Sequence, residues 1–364
     1  MNFENLELRH VKLPLKNPFE TSFGKIEDRN LVLLSGEVGG ERFYGEASAQ
    51  FAPLYNHEFT ETDLEFIKQF AVPALRDSET VEEYREKVSG YRGSPMAKSA
   101  GEFLMLHARS VREGESLTEM IGGEPGEAVC GASIGLQDSP EDLVERVGEL
   151  KDRGFHRAKI KIKPGKDLEY LREVRERFPD YPLMADANSA YTMDQLQRLK
   201  GLDRHDLQMV EQPLGSRDLY RHSKLAERIE TPICLDESIR SAEDARKAAE
   251  MGAAEIINLK PQRVGGLIES REINRVAREN GIDLWIGSLL ESGIGASFLA
   301  ASAGLSEVSY PNDLAPSSRY FEEDLVKPEI EMRDGRIEIP GEPGLKGDVV
   351  REKVRKHTRQ KLEL

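Results

Sequence analysis

Five polar residues recur through the middle of this 364-residue chain at almost constant spacing, each closing a short apolar run. They are Lys161, Asp186, Glu211, Asp236 and Lys260, separated by steps of 25, 25, 25 and 24 residues. The apolar runs (AVCGASIGL, RAKIKI, YPLMA, DLQMV, TPICL, EIINL and IDLWIGSLL) begin near Val129 and alternate with amphipathic segments. Those segments carry helix punctuation. Ser139 precedes Pro140, Thr192 and Gln195 form a capping box closed by Gly201, and a Ser241/Asp244 start is closed by Gly252. Strands alternating with helices over this length imply parallel βα units. An eight-fold barrel divides ~250 residues among its units, so one unit has about this length. Equal spacing then sets all five side chains at the C-terminal ends of consecutive strands, around the rim that holds the active site in such folds. An open sheet would spread the same five along a line.

Three of the five are acids, and three close carboxylates repel unless a cation lies among them. All-oxygen ligation with open positions suits Mg²⁺ or Mn²⁺ rather than zinc, and no H-x-x-x-H or C-x-x-C spacing occurs in the chain. The plain alternative, an acid that caps a strand or pairs with a nearby lysine, would suit any one of them alone. Three at consecutive strand ends point to a metal. Lys161 and Lys260 flank the acids from opposite sides, and a lysine beside a divalent cation has its pKa lowered toward that of a general base. A metal that holds a substrate carboxylate also stabilises the enediolate formed when the α-proton leaves. Lys159 lies on the same strand face as Lys161. It is either a structural cation or a like charge that lowers the pKa of Lys161.

The N-terminal third reads as α+β. LELRHVKLPL is a strand, the runs around Gly39-Gly40 form a hairpin, and helical periodicity runs from about Glu61 to Arg112 with a break near Gly90 to Pro95. Residues 18–24, which include Phe19, Thr21, Ser22 and Phe23, read as a surface loop or, functionally, as a mobile active-site lid. The basic tail after Val349 reads as the solvated face of a terminal helix. A formal charge of −15 argues against a nucleic-acid surface, and no apolar run reaches membrane-spanning length. The N-terminus lacks the pattern of a secretory signal, and Cys130 and Cys234 read as buried thiols rather than a disulfide. A cytoplasmic location is the expectation. His57, His156 and His205 read as surface or packed residues, and Trp285 as core.

The segments AKIKIKPG (158–165), MADAN (184–188), VEQPL (210–214), CLDES (234–238), NLKPQRVGG (258–266) and GSLLESGIG (287–295) resemble the muconate-lactonizing subgroup of the enolase superfamily. Within it they resemble the o-succinylbenzoate synthase / N-succinylamino acid racemase family, as do LPLKNPFETSFG (13–24), FAPLYNHEFTETD (51–63) and CGASIGLQDSPEDL (130–143). The resemblance implies an α/β fold, a (β/α)₇β-type modified TIM barrel with an N-terminal α+β capping domain. It divides the chain into a capping domain with specificity loops (1–125), a barrel (126–318) and a C-terminal segment that packs back on the cap (319–364). It makes Lys161 the catalytic acid/base and Lys260 the opposite lysine. Asp186, Glu211 and Asp236 become ligands of one Mg²⁺ or Mn²⁺ per site. Ser133, Lys159, Asn188, Arg263, Leu289 and Leu290 become substrate contacts. Many relatives read K-P-G-R where this chain has Gln262 in place of the glycine.

The implied reaction is the dehydration of a cyclohexadiene carboxylate, SHCHC, to o-succinylbenzoate in menaquinone biosynthesis. The alternative is N-succinylamino acid racemisation, in which the two lysines exchange roles across the α-carbon; both activities can share one site. Relatives are commonly multimers, so a homo-oligomer acting on a small-molecule carboxylate is expected, with no nucleic acid or membrane partner. A mandelate-racemase-like branch would place a histidine late in the barrel, and none occurs between His222 and His357. Dipeptide epimerases usually carry an Asp-x-Asp motif near the last strand, which reads YPNDLAPSS (310–318) here. A Schiff-base aldolase would explain lysines at strand ends but not three acids. A non-catalytic binding protein would be expected to have lost one of the five.

Overall fold

The computed structural model describes residues 1–21 and 24–364, with only the backbone of Glu20 and Thr21. The N-terminal strands Glu4–Thr21, Gly24–Val38 and Glu41–Ala47 form an antiparallel sheet, joined at its outer edge by the strand Thr358–Glu363. The register sets Leu8 opposite Leu34 on one side and Leu362 on the other. Gly39 and Gly40, at φ 62° and 83°, make the tight hairpin turn between the second and third strands. Helical segments follow at Thr60–Phe66, Ile67–Ala71, Val72–Arg76, Val81–Ser89 and Pro95–Glu113. The last packs so closely on the sheet that a Cβ at Gly45 would collide with the Ala100 carbonyl.

Two expectations change here. Phe19 pairs with Ile26 and Glu20 with Lys25, so the segment around Phe19 belongs to a strand rather than a loop. Ser22, Phe23 and the Thr21 side chain lie outside the described residues. The basic tail is helical only over Arg351–His357 and then becomes the sheet-edge strand, where Lys361 meets Glu7 at 3.0 Å.

Seven parallel strands follow in sequential order: Ala132–Ile134, Ala158–Lys161, Leu183–Asp186, Val210–Glu211, Ile233–Leu235, Ile256–Leu259 and Asp283–Ile286. Residues 307–313 occupy the space between the last strand and the first. Leu284 N donates to the Glu307 carbonyl (2.8 Å), Asn312 N to Val129 (2.8 Å) and Gly131 N to Asn312 (2.7 Å). This segment closes the curled sheet into a barrel and abolishes both open edges. Met184, Met209, Cys234, Ile256 and Trp285 fill a separate apolar cluster. The outward side chains join the main core beneath the helices, so most strand positions are buried on both faces. Ser139 and Ser241 cap their helices by accepting from Asp142 N and Asp244 N, and the Thr192/Gln195 box forms as expected. Among the described residues no helix is long and apolar enough to cross a membrane.

Candidate active site

Parallel pairing sets Lys161 opposite Asp186 and Asp186 opposite Glu211. Glu211 faces Cys234, so Asp236 lies two residues farther along its strand. The five spaced residues therefore rise around the rim, as the stagger of barrel strands requires. All three acids are buried.

Lys161 Nζ donates to Asp186 Oδ2 (2.5 Å) and to Asn188 Oδ1 (2.6 Å). Asn188, at φ 41°, also donates through its backbone N to Asp186 Oδ1 (3.0 Å) and through Nδ2 to Glu237 Oε1 (3.1 Å). Lys260 Nζ donates to Asp236 Oδ2 (2.8 Å) and lies 4.6 Å from the centre of the Tyr55 ring. The Tyr55 hydroxyl donates to Asp236 Oδ1 (3.0 Å) and accepts from Lys260 (3.3 Å).

Two residues expected at the substrate are turned inward. Lys159 reaches Asp313 Oδ2 (2.8 Å), Glu211 Oε2 (3.2 Å) and Asp186 Oδ2 (3.5 Å), with Trp285 beneath it at 4.6 Å. Every N–H-bearing nitrogen of Arg263 finds a protein acceptor: Asp236 and the Tyr55 hydroxyl at Nη1, the Ile239 carbonyl at Nε (2.7 Å) and the Asn258 carbonyl at Nη2 (2.5 Å). Their surroundings make both internal cations of the acid row. Ser133 donates to Asp313 (2.7 Å). Leu289 and Leu290 are half-exposed on the loop after the seventh strand. Phe19 is half-buried in its strand.

The electrostatics divide the acids into two kinds. Burial alone would raise Asp236, but Lys260 and Arg263 outweigh it and hold the carboxyl down at about 2. Asp186 is likewise lowered, by Lys161 and Lys159 against burial. Glu211 is pushed up to about 7 by burial and by Asp186, and Glu237 to about 8 by burial, Asp236 and Asp186. Burial would lower Lys260, yet Asp236 and Tyr55 raise it above its ordinary value.

Among the described residues no three His, Cys, Asp or Glu side chains stand together as a formed metal-ligand set. Lysines are interposed between the acids that the spacing aligned. The chemistry of the set nevertheless fits a hard divalent cation. Its donors are carboxylate oxygens; Glu237 Oε2 is buried without accepting a hydrogen bond, and Glu211 Oε2 meets only the Lys159 ammonium.

Sequence reasoning missed Asp313 and Tyr55. Asp313 ion-pairs Arg157 (2.6 Å) and Lys159, and its carboxyl is held well below the usual range by these two against burial. It stands 53 residues after Lys260, off the 24- and 25-residue step, so the spacing did not mark it. Tyr55 lies in the family-like cap segment 51–63, but nothing local marks it as the partner of an acid some 180 residues later.

Comparison with known proteins gives concordant results. Residues 142–353 match the family model described as "Enolase C-terminal domain-like". The chain is 40% identical over 361 residues to an o-succinylbenzoate synthase of Geobacillus kaustophilus, covering 98% of this chain and 96% of that protein. It is 40% identical over 347 residues to an N-succinylamino acid racemase of Thermus thermophilus, with 95% and 94% covered. The fold superimposes on a crystal structure of an enolase-superfamily member from Listeria innocua with a TM-score of 0.95. The identity is 37%, with 100% of this chain and 99% of that one covered.

Proposed function

The chain belongs to the o-succinylbenzoate synthase / N-succinylamino acid racemase family of the enolase superfamily, and from that premise we propose that it is an o-succinylbenzoate synthase. It takes SHCHC to o-succinylbenzoate with loss of water, a step of menaquinone biosynthesis. The observation that carries the reading is the acid row with an anchored lysine at each end, Lys161 on Asp186 and Lys260 on Asp236.

Asp186, Glu211 and Asp236 would hold one Mg²⁺ or Mn²⁺. Once bound, that ion supplies positive charge to the substrate carboxylate as negative charge develops there. Lys161 Nζ takes the α-proton, and the electron pair of the broken C–H bond is delocalised onto the substrate carboxylate. That pair then forms the new carbon–carbon double bond as the C–OH bond breaks, and Lys161 returns the proton to the departing hydroxyl on the same face, releasing water. Asp186 and Asn188 aim the amine. In dehydration Lys260, paired with Asp236, is an electrostatic partner on the opposite face, where an ammonium also favours a π-system. Ser133, Asn188, Leu289 and Leu290 border the substrate, and the strand end that carries Phe19 covers it.

Racemisation of N-succinylamino acids is a second activity of the same site, favoured by the retention of both lysines. The buried free thiols Cys130 and Cys234 support a cytosolic location, and a homo-oligomer follows from the family resemblance. The test is to assay the Mg²⁺-loaded protein on SHCHC and on several N-succinylamino acids, comparing kcat/KM. Higher kcat/KM on SHCHC supports the synthase, and negligible turnover of all of them would sink the assignment. A chelator should abolish activity and added Mg²⁺ restore it.

A further inference from the structure

Gln262 lies two residues beyond Lys260, in the short helical turn Pro261–Val264, and is fully buried. Its Oε1 accepts from Ser48 N (2.6 Å) and its Nε2 donates to Ser48 Oγ (3.0 Å). Ser48 directly follows the third strand of the N-terminal sheet. The carbonyl of that serine accepts from Arg29 Nη2 (2.5 Å), and Arg29 Nε donates to the Leu290 carbonyl (3.3 Å). Leu290 holds a left-handed φ of 60°, a conformation a leucine keeps only when its surroundings impose it. Glu46 braces the same junction, accepting from Ser48 Oγ (2.8 Å) and Ser292 N (3.2 Å). A buried hydrogen-bond chain therefore runs from the turn that carries Lys260, through the sheet, to the loop that carries Leu289 and Leu290. Arg29 and Ser48 are as buried as Gln262, so water cannot substitute for a missing link. Lys161 has no equivalent link, because its partners Asp186 and Asn188 both come from the neighbouring barrel strand and the turn after it.

We propose that Gln262 is a positioning residue for Lys260, and that the chain Gln262–Ser48–Arg29–Leu290 fixes Lys260 against the Leu289–Leu290 wall. The inference rests on the functional reading above. Its consequence depends on chirality. The α-proton of one enantiomer of an N-succinylamino acid faces Lys161, and that of the other faces Lys260. Displacing the Lys260 turn penalises only the second.

The experiment follows α-proton exchange by NMR in D₂O, using the Mg²⁺-loaded enzyme with N-succinyl-L-phenylalanine and N-succinyl-D-phenylalanine separately. Lys260→Ala identifies the enantiomer that faces Lys260. Gln262→Met should slow exchange of that enantiomer about ten-fold or more, because small misplacements of a reacting group are costly. Exchange of the other enantiomer should stay within about two-fold, by the same positional argument. An equal loss for both enantiomers, or no loss, would overturn the inference and leave the proposed function standing. SHCHC dehydration without exchange of either enantiomer in the wild type would also overturn it alone. Absence of both reactions would overturn the proposed function and the inference together. Should Gln262→Met fail to fold, Ser48→Ala removes the hydroxyl bonds to Gln262 and Glu46 and keeps the backbone bond to Gln262. It should then show the same asymmetry at smaller size, and a symmetric result there counts against the proposal.

Discussion

At one end of the acid row Lys161 reaches Asp186 and Asn188, both supplied by the adjacent barrel strand and the turn after it. At the other end Lys260 reaches Asp236 and the Tyr55 hydroxyl, and Tyr55 comes from a loop that precedes the barrel by some 75 residues. The first lysine is held by local barrel geometry. The second keeps the same kind of adjacent-strand acid and adds a long-range contact with the N-terminal region, so substitutions far from the barrel can alter one base without altering the other. Two reactions that share a first step but differ in their need for a second base can be tuned separately by such an arrangement.

The most severe way to test this contrast is Lys161→Ala, which should abolish both dehydration and racemisation. General acid–base groups contribute about 10²- to 10⁴-fold, and turnover measured on both substrates should fall at least that far. Near-wild-type dehydration would remove Lys161 from the role assigned to it. Asp313→Asn comes next and probes how the Lys161 side is supported. It leaves Arg157 and Lys159 buried without their shared carboxylate, at a cost of about 3–5 kcal/mol in a denaturant titration. The pH dependence has a definite sign. Asp313 is depressed in the folded state, so its stabilisation is present above the unfolded carboxyl pKa of about 4 and is lost as pH falls below it. The variant should therefore show a flatter acid limb than the wild type.

Lys260→Ala separates the two ends more finely. Racemisation should fall by about 10²-fold or more while dehydration keeps a measurable fraction of its rate. Equal losses would erase the distinction between the lysines. The smallest expected effect is that of Tyr55→Phe, which keeps the ring over Lys260 and removes the hydroxyl bond to Asp236. A loss of about 1–2 kcal/mol, read as a several-fold drop in racemisation kcat/KM, would mark Tyr55 as the loop's contact with the site.

The barrel was legible because its signal is periodic. Lys161, Asp186, Glu211, Asp236 and Lys260 are spaced by the length of a βα unit, and the helix caps at Ser139, Thr192 and Ser241 mark the same period. Asp313 falls off that series, 53 residues beyond Lys260, and the closing segment has no long apolar run, so the period was lost there. The inward orientation of Lys159 and Arg263 was not legible. A side chain's direction at a strand end depends on which carboxylate is nearest across the barrel, and a linear sequence does not encode that distance. Tyr55 and the Gln262–Ser48 link were hidden for the same reason, since both join segments separated by about 180 residues or more. The pairing of Phe19 with Ile26 was masked by composition, because residues 18–24 mix aromatic, hydroxyl and glycine residues and read locally as a loop.

Trp285 is the chain's single tryptophan, and it lies under the acid row with Lys159 at 4.6 Å and Arg157 at 4.7 Å from its ring. Its indole N–H points at the Cys234 sulfur, 3.3 Å away. Two cations beside one buried indole make its excited state sensitive to the local field. Any event that redistributes charge among Asp186, Glu211 and Asp313 moves Lys159, and its effect reaches the indole. The barrel thus contains a built-in optical probe: titrating the protein with a divalent ion should shift tryptophan emission before any substrate is added.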